Sequence, residues 1–176
     1  EIKITTDASS KKPVAVIAFG GNALLRPQDH GTQEEQFTLT WKASRWLVEI
    51  IHRGYELAIV HGNGPQVGNL LLQQESCDAV PKMPLEIIGA MTQGQIGYMI
   101  ESSLDTAFME LGENDQQHFV TLITYVVVDE NDPGFQNPTK PIGPFYTEAE
   151  AEGLSYTLTK TDKGLRRVVA SPKPLA

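Results

Sequence analysis

Short apolar runs alternate along the chain with longer segments in which apolar residues recur every three or four positions. The runs at 13–19 and 55–60 are compact and largely apolar, which predicts two buried parallel strands. Pro65 suits the first turn of a helix that is predicted to continue to residue 74. An earlier helix is predicted to lie between the two strands and to end at Gly54; its stripe consists of Phe37, Trp41, Ser44, Leu47, Val48, Ile50 and Ile51.

The alternation continues in the second half of the chain. Segment 119–128 is the most β-prone stretch and predicts another buried strand. Runs at 156–160 and 165–170 predict an antiparallel hairpin. A third helix is predicted to end at Gly112, with a stripe made of Ile96, Ile100, Leu104, Phe108 and Leu111. The resulting order, β-α-β-α-α-β, favours an α/β fold with a mainly parallel sheet and right-handed crossovers.

Composition narrows the possible partners. With 40% hydrophobic and 20% charged residues among 176, the chain is predicted to fold. A net charge of −8 makes it a poor candidate for binding nucleic acid or an anionic membrane, but does not exclude a small anionic ligand at a local positive site. The single cysteine, Cys77, excludes an internal disulfide framework and fits a reducing compartment, so we expect a cytoplasmic protein.

Two glycine-rich loops follow the first two predicted strands. They are Gly20-Gly21-Asn22 and Gly62-Asn63-Gly64. Ligands of open α/β sheets bind beyond the carboxyl ends of the strands, and glycines allow backbone N–H groups to approach an anion closely. The loops therefore predict a shared anion site, although tight turns alone would also explain the glycines. The spacing fits neither a P-loop nor a dinucleotide fingerprint, and no histidine and cysteine cluster suggests a metal site.

Segment 132–146 carries four prolines together with several aromatic residues. Prolines stiffen it, and Lys140 lies between Thr139 and Pro141. A rigid loop after a strand can hold one positive charge over an anion site, whereas the alternative is a surface lysine on a structural loop. Three glycines along the third helix, Gly89, Gly94 and Gly97, predict close backbone approach, either between helices or at a subunit interface.

Five blocks in order resemble the carbamate kinase family. They are GGNAL at 20–24, HGNGPQVG at 61–68, GAMTQGQIGY at 89–98, NPTKPIGPFY at 137–146 and RRVVASPKP at 166–174. The resemblance runs from about residue 14 to residue 174. Ala170 and Leu165 depart from the family's usual proline and aromatic residue.

The resemblance implies the amino-acid-kinase fold, a three-layer α/β/α arrangement, and a homodimer. The implied reaction is ATP + carbamate ⇌ ADP + carbamoyl phosphate with Mg²⁺, which serves arginine breakdown. Substrate binding is implied for Gly20, Gly21, Asn22, Gly62, Asn63 and Gly64, and a catalytic role for Lys140. Residues 13–137 and 167–176 would form the N-terminal substrate-binding lobe, 138–166 a protruding lid subdomain with β-structure, and 1–12 a flexible tail.

Chains of this family are considerably longer than this one. The resemblance therefore implies that the C-terminal nucleotide-binding lobe, which uses ATP or ADP with Mg²⁺, is absent from this chain and that the chain is inactive alone. Two alternatives remain at this stage, a naturally short non-catalytic module that binds carbamoyl phosphate or phosphate, and a remnant that serves dimerisation. A sheet without its remaining strands also leads us to expect exposed apolar surface and self-association.

Overall fold

The structure is a computed structural model that describes residues 11–26, 28–113 and 117–175. Of the predicted flexible tail at 1–12, residues 1–10 lie outside the described residues. The chain divides into two compact units. The first comprises residues 1–62 and 98–120, and the second comprises residues 63–97 and 121–176.

A parallel strand pair forms the centre of the first unit. The elements before the boundary at residue 62 are β1 (Val14–Phe19), α1 (Gly21–Leu24), α2 (Gln33–His52) and β2 (Glu56–His61). The register of β1 and β2 runs from Val14 opposite Glu56 to Phe19 opposite His61. Parallel strands cannot be joined by a tight turn, and α2 supplies the crossover between them. Both predicted strands, their parallel pairing and the intervening helix are confirmed, whereas the prediction that the strands are buried was wrong, because alternate residues of each strand are exposed.

Helix α2 begins with a capping box and ends before a glycine. The Thr32 hydroxyl accepts from the Glu35 N–H, while the Glu35 carboxylate accepts from the Thr32 N–H, so two N-terminal donors are satisfied. Gly54 follows the helix with a φ of 90°, the left-handed conformation in which glycine avoids the steric penalty of a Cβ. The predicted glycine terminator of this helix is confirmed.

The buried face of α2 is more polar than the apolar stripe predicted. Thr40 and Ser44 are buried, and each hydroxyl donates to a carbonyl one turn earlier in the helix, from Thr40 to Gln36 and from Ser44 to Thr40. The Ser103 hydroxyl donates to the Thr40 hydroxyl over 3.0 Å. These bonds remove the cost of burying the hydroxyl groups, which explains why the face tolerates them.

Helix α4 (Leu85–Leu111) contributes residues to both units, because the boundary between them falls at residue 97. Its predicted stripe is largely confirmed: Ile96, Ile100, Leu104 and Phe108 are buried, whereas Leu111 is exposed. No helix in the described part of the chain is both long and apolar enough to cross a membrane.

The second unit contains an antiparallel sheet packed near a helix. Its elements are α3 (Gly64–Glu75), the first part of α4, a 3-10 turn (Pro133–Phe135), β3 (Lys140–Tyr146), α5 (Glu148–Ala151), β4 (Leu158–Thr161) and β5 (Gly164–Val169). The strand order is β3-β5-β4. Val67, Leu71 and Ile88 form the buried core, and Ile142 of β3 packs against it. The predicted hairpin is confirmed as β4 and β5, and the α/β class is confirmed for the chain.

The prediction of a buried strand at 119–128 was wrong. The segment contains no strand; its only bridge of strand type joins Val128 to Pro174. Its side chains are largely exposed, with Tyr125 at 90%. High β-propensity describes a fit to a half-buried pleated surface, and here no neighbouring strand supplies that surface.

One face of the β1–β2 pair is exposed and mostly apolar. Val14 and Val16 are 60% and 69% exposed, and Val60 of the neighbouring strand lies on the same face. Association that buries this exposed apolar surface against another apolar surface is favourable, because it removes both surfaces from water.

We expect this face to make the chain self-associate, and we expect Val16→Lys to reduce that association. Light scattering at increasing protein concentration should give an apparent mass above 19.3 kDa for the unmodified chain and a smaller excess for the variant. Thr38→Lys, at an exposed position of α2, adds the same charge elsewhere and should leave the association unchanged. A mass that stays at the monomer value at all concentrations would contradict the prediction.

Candidate functional site

Gly20 and Gly62 lie side by side at one edge of the parallel strand pair. Each follows the last residue of its strand, and these last residues, Phe19 and His61, are partners in the register. The Gly62 N–H donates to the Phe19 carbonyl over 3.4 Å. The expectation that the two loops start at the same edge of the sheet is confirmed. The expectation that the loops bind an anion stays a prediction.

The fold itself does not require glycine at these two positions. Neither Gly20 nor Gly62 has a positive φ, and a Cβ added at either would meet no atom within 4 Å. The space beside the backbone is therefore open at both positions. This geometry favours the anion interpretation of the loops over the tight-turn interpretation.

The first glycine-rich loop leads directly into a short helix. Gly21 and Asn22 form the start of α1, and the Ala23 N–H donates to the Gly20 carbonyl over 2.9 Å. The chain therefore turns into a short helical segment directly after β1. The predicted roles of Gly21 and Asn22 in substrate binding are not tested by this arrangement.

Asn63 and Gly64 form the start of the second unit, where the chain enters α3. Asn63 occupies the N-cap position, and its carbonyl accepts from the Val67 N–H over 2.9 Å. Its side chain makes no capping bond and instead donates from Nδ2 to the Thr92 Oγ1 over 2.9 Å. Thr92 was not among the predicted site residues, because nothing in its spacing separates it from an ordinary helix residue.

Lys140 is the first residue of β3 in the second unit. It is exposed and lies opposite Val169 of β5. No carboxylate among the described residues lies within ion-pairing distance of its ammonium group. Within its own unit, no described carboxylate neutralises the charge of Lys140, as expected of a lysine that contacts an anion.

The proline-rich segment before Lys140 is anchored by Asp132. The Asp132 carboxylate accepts from the Gly134 N–H over 2.7 Å and from the Lys173 N–H over 3.1 Å. These backbone hydrogen bonds, that of Gly134 first, lower the pKa of Asp132 below its ordinary value because they stabilise the charged form. The Asp-Pro-Gly sequence is a turn signal that could have identified this residue, but the bond to Lys173 had no signal in the sequence.

A second set of polar residues links the end of α3 to the antiparallel sheet. Glu75 accepts from the Lys82 ammonium over 3.1 Å, and a hydrogen bond from Tyr156 is the main cause that lowers the pKa of Glu75. The guanidinium of Arg167 lies 4.2 Å from the centre of the Tyr156 ring. The contacts hold β5 and the segment before β4 against α3, and sequence analysis missed them because the partners are far apart in the chain.

The described residues form no metal-binding cluster of their own. They contain no group of three or more histidine, cysteine, aspartate or glutamate side chains arranged to hold a metal ion. Mg²⁺ prefers oxygen ligands from carboxylates and phosphates, and no such carboxylate cluster lies in this part of the chain.

Comparison with known proteins reveals close relatives. The chain is 48% identical over 167 residues to the carbamate kinase of Pyrococcus furiosus, covering 90% of this chain and 52% of that protein. It is 47% identical over 166 residues to carbamate kinase 1 of Enterococcus faecium, with coverage of 91% and 52%. No protein-family model matches the chain. The chain thus spans about half the length of the curated relatives it matches.

Solved structures agree with the sequence comparison. The carbamate kinase of Giardia lamblia bound to AMP-PNP superimposes with a TM-score of 0.81 at 41% identity, covering 94% of this chain and 54% of that one. A crystal structure from Aeropyrum pernix K1 gives a TM-score of 0.84 at 39% identity, with coverage of 93% and 54%.

These likenesses define the chain as an α/β protein of the amino-acid-kinase fold. Within that class, its sequence and structure match the N-terminal half of carbamate kinases. The resemblance indicated by the five sequence blocks is confirmed. The division into lobe and lid, and the roles of the individual site residues, remain proposals.

If a ligand rather than the fold requires glycine at the sheet edge, Gly62→Ala should weaken the binding of phosphate while leaving stability nearly unchanged. The added methyl group meets no protein atom, so we expect the free energy of unfolding to change by no more than about 0.5 kcal/mol. Thermal unfolding and phosphate titration measure the two quantities on the same sample.

Gly97→Ala is the matched control, because its new Cβ would collide with the side chain of Thr121. Overpacking there outweighs the gain in helix propensity, and we expect destabilisation on the order of 1 kcal/mol. Equal loss of stability in both variants would contradict the assignment of Gly62 to a ligand.

Asp132 should make stability depend on pH in the acid range. Its pKa is lower in the folded than in the unfolded chain, so its contribution is present above the unfolded value and is lost as pH falls through the folded one. We expect the unmodified chain to lose more thermal stability than Asp132→Asn between about pH 5 and pH 3. Asp162→Asn, which alters an exposed carboxylate in the β4–β5 turn, should follow the unmodified chain.

Proposed function

We propose that this chain carries the substrate-binding part of a carbamate kinase, the enzyme that transfers a phosphoryl group between ATP and carbamate. The proposal rests on one observation above all. Two glycine-rich loops begin at one edge of a parallel strand pair, in a chain that is 48% identical to a carbamate kinase over 90% of its length.

The proposed chemistry requires positioning and positive charge more than covalent work by side chains. Backbone N–H groups of Gly20-Gly21-Asn22 and Gly62-Asn63-Gly64 would donate hydrogen bonds to carbamate and to the phosphoryl group. Lys140 would neutralise charge on the transferring group, as expected of a lysine ammonium that has no carboxylate partner in the described structure.

We assign nucleotide binding to the part of a carbamate kinase that this chain does not match. The Giardia lamblia enzyme has been solved with AMP-PNP, and only 54% of it is covered here. ATP or ADP would be the second substrate, with Mg²⁺ supplied together with the nucleotide. We further infer a cytoplasmic role in arginine breakdown.

A homodimer is the proposed assembly. Helix α4 is apolar on more than its buried face, since Ile87, Met91 and Met109 are exposed. A helix that is apolar around most of its circumference is typical of one buried by further protein.

An anion-binding module without turnover is the second candidate. The observation that favours it is coverage, because the chain accounts for only about half of each relative's length. Both candidates require binding of carbamoyl phosphate or phosphate, and only the enzyme requires turnover when the remaining half is present.

We expect the 176-residue chain to bind carbamoyl phosphate and to form no ATP from ADP and carbamoyl phosphate in a coupled assay. Lys140→Ala should weaken anion binding about 10- to 100-fold, the usual consequence of losing one charge-assisted hydrogen bond. Lys163→Ala removes an exposed lysine from the β4–β5 turn and should bind as the unmodified chain does.

The assay should be repeated after fusion of the chain to the C-terminal half of the Pyrococcus furiosus enzyme. ATP formation by the fusion, abolished by Lys140→Ala, supports the kinase. Anion binding without turnover in a folded fusion favours the module. Absence of anion binding by the unmodified chain would overturn both candidates.

A further inference from the structure

Asn63 holds a capping position without acting as a cap. Asparagine is among the preferred N-cap residues because its side-chain oxygen accepts from N–H groups of the first helical turn. Asn63 occupies that position at the start of the twelve-residue helix α3, yet its side chain makes no capping hydrogen bond. Some other interaction therefore determines where this amide group lies.

Thr92 provides that interaction, and its own hydrogen bonds fix the direction. The Thr92 side chain is fully buried in α4, and its hydroxyl donates to the Gly89 carbonyl over 2.7 Å. With its proton used in that bond, the Thr92 oxygen can only accept, and it does so from the Asn63 Nδ2 over 2.9 Å. The orientation of the Asn63 amide follows, with Nδ2 toward Thr92 and Oδ1 on the other side.

The position of the Asn63 side chain determines whether the backbone N–H groups in the first turn of α3 are occupied by a side-chain cap or can bind an anion. A side-chain cap and a bound anion compete for the same N–H donors, because both accept hydrogen bonds at a helix N-terminus. Pro65 lacks an N–H group, so the first turn has fewer donors than an ordinary helix. A cap supplied by Asn63 would reduce what remains for an anion still further.

We propose that Thr92 is a positioning residue for anion binding. It holds the Asn63 amide away from the capping position and so keeps the N-terminus of α3 open to the phosphoryl or carboxyl group of the substrate. The proposal rests on the proposed function and adds a residue that the sequence did not identify. Thr92 contacts no substrate itself and acts only through Asn63.

Titration with inorganic phosphate, followed by ¹⁵N–¹H NMR, tests the proposal on the 176-residue chain. We expect Thr92→Val, which keeps the shape and removes the acceptor, to weaken phosphate binding by about three- to tenfold, as loss of one hydrogen bond would. Thr92→Ser retains the hydroxyl group and should remain within about twofold of the unmodified chain. Thr92→Ala serves in place of the valine variant if that variant unfolds.

A double-variant comparison separates positioning from a general structural role. In an Asn63→Ala background, Thr92→Val should cause no further loss of affinity, since the residue through which it acts is gone. The side-chain amide signal of Asn63 gives a second readout that needs no ligand, and it should shift in Thr92→Val but not in Thr92→Ser.

Three outcomes would overturn the proposal. If the unmodified chain binds phosphate and Thr92→Val binds it with unchanged affinity, the positioning role of Thr92 is contradicted while the proposed function is not. The same loss in the Asn63→Ala background would show that Thr92 acts through the fold. Absence of phosphate binding by the unmodified chain would instead remove the proposed function, and this inference with it.

Discussion

Parallel pairing of β1 with β2 is the constraint on which the candidate site depends. Parallel strands run in the same direction, so the loops that follow them must begin at the same edge. Gly20 and Gly62 are adjacent for this reason and need no direct contact between their loops. The pairing also requires a crossover, which α2 supplies, and α2 in turn buries hydroxyl groups that are satisfied within the helix.

Helix α4 has a comparable organising role in the second unit. Successive residues hold two different segments: Thr92 fixes the Asn63 amide, and Gln93 makes a paired contact with Thr124. One turn further on, Gly97 leaves the room that the Thr121 side chain occupies. The GAMTQGQIGY block is one of the five on which the family resemblance rests, and several of its residues contact other segments of the chain. Close approach is observed at Gly97 but not at Gly89 or Gly94.

The sequence predicted those features that depend on local pattern. Strands β1 and β2, the hairpin of β4 and β5, and the glycine that ends α2 each follow from periodicity or turn chemistry within a few residues. The strand predicted at 119–128 was wrong because a strand needs a neighbour, and propensity carries no information about whether one is present. The roles of Thr92 and Glu75 were missed for a related reason, since their partners are distant in the chain.

The contact of Gln93 with Thr124 has a consequence for the exposed segment that it holds. Its Nε2 donates to the Thr124 carbonyl over 3.0 Å and its Oε1 accepts from the Thr124 N–H over 2.7 Å, so one side chain imitates the edge of a neighbouring strand. One amide group on α4 thereby occupies both backbone hydrogen-bonding groups of Thr124, so neither is available to pair with a neighbouring strand.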